Sequence, residues 1–224
     1  MPLLTLIAAE LAYGLPPLLD QAACTIDEGD RIGLIGRNGT GKSSLLGVMT
    51  GRISLDDGEV QRRDGLRIVN VEQEPLLPPA DTLFESLRRR GGLEDIVDER
   101  RRWRGEARLV EFATRFGVDG TIDPARASGG ERKRAALALA LSLEPDLLML
   151  DEPTNHLDIA GIELLEDLLQ KVPALVCVTH DRWFLDRVAN RILELDRGWL
   201  SSYPGNFAEF ERRKQAELAA EAVG

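Results

Sequence analysis

Long apolar runs, cysteine, histidine and lysine are all scarce in this chain of 224 residues, and each scarcity excludes something. The longest apolar stretch near the start, Leu3 to Ala9, is closed by Glu10. A membrane-spanning helix needs roughly 20 apolar residues, so neither a span nor a signal peptide is expected. The two cysteines, Cys24 and Cys177, lie far apart in segments that read as strands. They have neither metal-ligand spacing nor the density of a disulfide framework, which fits a reducing cytoplasm. Only four of the 28 basic residues are lysine, so the position of each lysine carries information; one of them is Lys42. The net charge of −10 excludes a protein that coats nucleic acid or anionic lipid with its whole surface, because such binding needs a positive field. It leaves room for a local basic patch.

With 43% hydrophobic and 29% charged residues, the chain has the composition of one large globular domain, alone or with a smaller subdomain. Arg31 to Ile35 reads as a buried strand that runs into a glycine-rich turn and then a helical pattern, Ser43 to Met49. Leu147 to Leu150 and Ala174 to Val178 are short apolar runs of the kind expected for strands covered on both faces. Ile159 to Leu169, between them, has helical spacing. Alternating strands and helices place the fold in the α/β class, with a mostly parallel sheet. From Asp81 to Phe116 the sequence offers no strands. Helical spacing over Leu83 to Leu87 and Leu109 to Phe116, with arginine groups between, predicts a helical subdomain inserted at about 81–126. The tail from Asn206 to Val223 is charged and helix-favouring, with Phe207 and Phe210 three apart, and reads as a helix leaving the domain.

Two runs carry chemistry. Gly36-Arg37-Asn38-Gly39-Thr40-Gly41-Lys42-Ser43 is Gly, four residues, Gly-Lys-Ser, placed after a strand and at a helix start. The backbone N–H groups of such a turn converge on phosphate oxygens, and the helix N-terminus, with Ser44 in its first turn, adds partial positive charge. Lys42 brings a point charge to the outer phosphates, and the Ser43 hydroxyl is an oxygen ligand suited to Mg²⁺. Leu147-Leu-Met-Leu-Asp151-Glu152 is an apolar strand ending in two acids, which are costly at the end of a buried strand unless they have a use. In an open α/β sheet ligands bind at that end. Asp151 is therefore assigned to the Mg²⁺ shell and Glu152 to the attacking water.

On these residues the sequence resembles the ATP-binding cassette (ABC) family, and more closely its ABC-F branch, which lacks membrane domains. Ser128-Gly129-Gly130-Glu131 resembles the family's signature motif, and Asp151-Glu-Pro-Thr-Asn-His-Leu-Asp158 resembles the ABC-F run from Walker B into the D-loop. The resemblance implies a P-loop NTPase fold with an N-terminal antiparallel β part, Gln73 as a further Mg²⁺ ligand, His180 as a catalytic switch histidine, and Tyr13 stacked on adenine. Each position has a plainer reading beside it. Tyr13 sits near Gly14 and Pro16, as in turn packing; Ser128 with Glu131 makes a capping box; Asp158 can cap the next helix. His156 is given no chemistry. Ala127 departs from the family's usual leucine, and Gly91 to Arg104 is too short for a long antiparallel arm.

The resemblance implies ATP and Mg²⁺ as cofactors and residues 1–205 as one ABC ATP-binding domain, with 206–224 opening a helical linker. The partners it implies are a second ABC domain, in a longer chain or in a homodimer, and the ribosome or RNA, with DNA as a further candidate. Each nucleotide motif occurs once, so the chain is expected to be half of a pair. The subunit of a membrane transporter and a nucleotide switch with negligible hydrolysis are the alternative functions.

Overall fold

A computed structural model describes residues 2 to 221. The apolar runs become strands and the periodic ones helices. The strands β1 (Leu4–Leu11), β2 (Leu19–Ile26) and β3 (Arg31–Ile35) are followed by α1 (Lys42–Thr50), β4 (Asp57–Arg62) and β5 (Ile68–Val71). Three helices come next, α2 (Leu83–Arg90), α3 (Glu99–Arg115) and α4 (Gly129–Ser142). The chain then runs through β6 (Leu147–Asp151), α5 (Ile159–Leu169), β7 (Ala174–Val178) and α6 (Arg182–Val188) to β8 (Arg191–Asp196), β9 (Trp199–Pro204) and α7 (Phe207–Glu221).

The first sheet is antiparallel, in the order β2-β1-β4, and the second has the order β5-β6-β7-β3-β8-β9, parallel except for the edge strand β9. The neighbours β6, β7 and β3 are in register at their carboxyl ends: Asp151 pairs with Val178, and Val178 with Leu34. That register sets the end of the acid-bearing strand beside the strand that feeds the glycine-rich loop. The two-residue period of a strand also explains why β6 is apolar throughout. Leu147 and Met149 face the core shared with α1 and the small sheet, while Leu148 and Leu150 face α4, α5 and α6. Both cysteines are buried and free, and burial pushes the Cys24 thiol up to about 11. Among the described residues no helix is long and apolar enough to cross a membrane.

A third, smaller core joins Leu83 and Leu87 of α2 to Leu109 of α3 and to Ala135 and Leu139 of α4. The helix α4 also packs on the large sheet through Ala136, Leu137 and Leu141, and so is buried nearly all round.

Two expectations change. Helix α3 begins at Glu99, because the Asp98 carboxylate caps it by accepting from Arg100 N–H at 2.9 Å and Arg101 N–H at 3.1 Å. The non-helical stretch therefore runs over 91–98, shorter than Gly91 to Arg104. The exposed first turns of α3 lack the apolar periodicity that marks its buried end. Helix α7 does not simply leave the domain. Phe207, Phe210 and Lys214 lie on one of its faces; Phe210 is buried edge-on to Tyr203 at 5.1 Å, and Lys214 Nζ donates to Glu194 Oε2 at 2.8 Å. Residues 222–224 of the expected linker lie outside the described residues.

Candidate functional site

The loop between β3 and α1 is shaped by its glycines. At Gly36 a Cβ would lie 2.4 Å from the Leu195 carbonyl, so the loop passes too close to β8 for any side chain. Gly41 caps α1 at φ 97° with no side chain bonded to the helix start. The N–H groups of the first turn are thus free to meet an anion. Lys42 folds back over the loop, its Nζ donating to the carbonyls of Gly36 at 2.8 Å and Arg37 at 3.0 Å. Partial burial lowers its pKa, opposed by the charges of Glu152 and Asp151. Thr40 Oγ1 donates to Arg37 O at 2.8 Å and closes the turn.

The two acids arrive from β6. Asp151 is 8% exposed and accepts from Ser43 Oγ at 2.8 Å. Glu152, also 8% exposed, has φ 46°, a left-handed backbone that costs a non-glycine residue about 1 kcal/mol or more. It is held there by donation from its N–H to Val178 O at 2.7 Å. His180 follows β7, with Nε2 3.4 Å from Glu152 Oε1. Asn38, Gly39, Gly41, Lys42, Ser43 and Ser44 face Gln73, Asp151, Glu152 and His180 across an open cleft of about 660 Å³.

Among the described residues no three His, Cys, Asp or Glu side chains form a metal cage. The Ser43 hydroxyl and the Asp151 carboxylate, already 2.8 Å apart, are oxygen donors that would suit Mg²⁺. The donor set fits a Mg²⁺–nucleotide pair. Tyr13 does not line this cleft and stands 72% exposed in the loop between β1 and β2; Leu18, from the same loop, does line it.

Ser128, Gly129 and Gly130 do not line the cleft either. Ser128 caps α4 in a complete capping box: Glu131 N–H donates to Ser128 Oγ at 3.2 Å and Ser128 N–H to Glu131 Oε2 at 2.8 Å. Asp158 caps α5 by accepting from Gly161 N–H at 2.8 Å. Ala127, where the family has leucine, is 5% exposed beneath the signature turn.

Three residues are added by the fold. Asn155 lines the cleft. His156, at φ 66°, packs against the signature glycines, its Nε2 lying 3.8 Å from where a Gly129 Cβ would be. Lys133 is wholly buried, with Nζ donating to the carbonyls of Asp151 at 2.8 Å, Glu72 at 2.9 Å and Gln73 at 3.2 Å. Burial lowers its pKa to about 8. The scarcity of lysine was the one sequence signal for it.

The family model described as "ABC transporter" matches residues 19–155. The ATP-binding protein Uup of Haemophilus influenzae is 35% identical over the whole chain, which covers 39% of that protein. Uup of Caulobacter vibrioides is 39% identical over 99% of the chain and 34% of its own length. The energy-dependent translational throttle protein EttA of Mycobacterium tuberculosis is 34% identical over 94% of the chain and 43% of its own length. The chain thus spans about two fifths of these relatives. Among solved structures, an ATP-binding subunit of an ABC transporter superposes with a TM-score of 0.82 at 23% identity, covering 99% of this chain and all of that one. A dimeric ATP-binding cassette bound to ADP and Pi gives 0.75 at 22% identity over 90% of this chain and 98% of that one. With the loop, paired acids and capped signature turn arranged on this sheet, the match over most of the sequence places the chain in the ATP-binding cassette family, as an ABC ATPase domain.

Proposed function

We propose that this chain binds ATP with Mg²⁺ and hydrolyses it at a site completed by a second ABC domain, in the same longer protein or in a second copy. The observation that carries this is the separation of two half-sites. The cleft holds the phosphate loop, Asp151, Glu152 and His180, while Ser128 to Gly130 present a capped helix start on a different surface. A helix N-terminus is a ready anion site, and this one does not line the chain's own cleft.

In the cleft, the loop N–H groups and Lys42 would hold the outer phosphates, and Ser43, Gln73 and Asp151 would hold Mg²⁺, which would supply neutralisation of phosphate charge. The Glu152 carboxylate accepts a proton from the attacking water, and His180 holds that carboxylate and the water in line. If two domains are needed, ATPase activity per molecule rises with protein concentration until the pair saturates. A rate independent of concentration, where sedimentation shows a monomer, would sink the two-domain requirement.

For the partner, the reading favoured is the ribosome or another nucleic-acid machine. The mycobacterial relative, EttA, is by name a translational throttle protein, and α3 carries a basic face suited to RNA. The arginines at 88–90, on α2, each have a carboxylate partner instead. Arg88 pairs with Glu106 at 2.9 Å, Arg89 with Glu94 at 3.7 Å, and Arg90 with Glu72. Arg100, Arg101 and Arg104 are exposed beside Trp103, itself 70% exposed, an arrangement of charge and stacking surface that suits single-stranded RNA. Replacing these three arginines by Ala is expected to weaken ribosome co-sedimentation and flatten its logarithmic salt slope by about 1 per arginine. Substituting Arg88 and Arg89 is expected to perturb folding of the insert and leave the slope unchanged.

A further inference from the structure

Lys133 is the least expected residue in the structure. It lies five residues after the Ser128 cap, in a helix that packs on both the sheet and the helical insert. Burying an ammonium in such a helix is costly, and an apolar residue would serve for packing. All three of its N–H donors are used, and all three acceptors are main-chain carbonyls. Two belong to Glu72 and Gln73, just past the end of β5, and the third to Asp151 at the end of β6. These segments carry the proposed Mg²⁺ ligands of the cleft. Lys133 itself lines no part of the cleft.

A second contact joins the same parts. His156, four residues beyond Glu152, packs on Gly129 and Gly130 with its carbonyl 3.4 Å from where a Gly130 Cβ would lie. Glu72 in turn lies between Arg52, at 3.1 Å, in the loop after α1, and Arg90 at the end of α2. Helix α4, which the signature turn opens, is therefore bonded through Lys133 to the Glu72–Gln73 and Asp151 segments, and the turn itself packs on His156, although in the composite-site reading it serves the other site.

We propose that Lys133 is a positioning residue whose ammonium joins the signature turn to the Gln73 and Asp151 segments, so that filling one half-site of the chain resets the other. The inference rests on the composite-site reading above. A merely structural lysine would hold the fold together and transmit nothing.

Hydrogen–deuterium exchange separates the two, because it reads each segment's opening by itself. The Glu152→Gln chain is kept at concentrations where sedimentation shows a monomer, and exchange is followed with and without MgATP. In that parent, MgATP is expected to slow exchange at 36–44 and also at 128–134. Adding Lys133→Met keeps the protection at 36–44 and diminishes the response at 128–134 by about fivefold or more. Lys133→Arg, which keeps charge and donors, preserves both responses. If melting shows that the Met variant is unfolded, Lys133→Gln, which retains two N–H donors, is read in the same way. Equal responses at 128–134 in parent and variant overturn the proposal, as does an unresponsive signature turn in the parent. Loss of both responses together makes Lys133 structural and also overturns it. Absence of protection at 36–44 in the parent refutes ATP binding itself, a different failure.

Discussion

Replacing Glu152 by Gln lowers turnover by about 10²- to 10⁴-fold, the range expected when a positioned base is lost, and leaves MgATP affinity within about threefold. The expectation comes from how the residue is held. Glu152 directly follows a strand that is buried on both faces, its N–H is fixed to Val178 O, and its carboxylate faces His180. Gln has the same shape and can keep these packing relations, so the loss falls on proton acceptance alone. Single-turnover hydrolysis and a fluorescent-nucleotide titration read the two quantities separately. A fall in affinity equal to the fall in rate would mean that Glu152 holds the nucleotide and is not the base.

Lys42→Ala acts on the other quantity. A charge-assisted hydrogen bond to phosphate contributes about 1.5–3 kcal/mol, so ATP affinity is expected to fall about 10- to 100-fold. The fold itself changes little. The Gly36 and Arg37 carbonyls that Lys42 now bonds lie at the cleft, the ammonium is only partly buried, and water can replace it. Calorimetry should therefore show weak binding beside a melting temperature near that of the parent. A large drop in melting temperature would assign Lys42 to the structure of the loop instead.

Much of this was legible in local sequence for a physical reason. The strands β6 and β7 are short and face two cores each, so they read as unbroken apolar runs, and Ile159 to Leu169 shows one helical face because only one face is buried. The loop at Gly36 to Ser43 and the acids at Asp151 and Glu152 are contiguous in sequence and need only β6, β7 and β3 to be neighbours. What was not legible depends on distant partners. The arginines at 88–90 and at 100–104 look alike in sequence, yet the first group is taken up by Glu72, Glu94 and Glu106, and three of the second remain exposed. Phe207 and Phe210 announced an apolar stripe, yet their spacing does not say what covers it, which in the structure is Tyr203 of β9. Lys133 sits between arginines in sequence, and only the fold brings the carbonyls of Glu72, Gln73 and Asp151 around it.

The central claim is that one chain carries two half-sites and that ATP joins them to a second ABC domain. Sedimentation velocity of the Glu152→Gln chain, with and without MgATP, tests it most directly. The account predicts a monomer without nucleotide and a dimer with MgATP, abolished by adding Lys42→Ala or by substituting Ser128 in the signature turn. A chain that binds MgATP to saturation and remains a monomer at every concentration, alone and with the second ABC domain of the longer protein supplied, would contradict it.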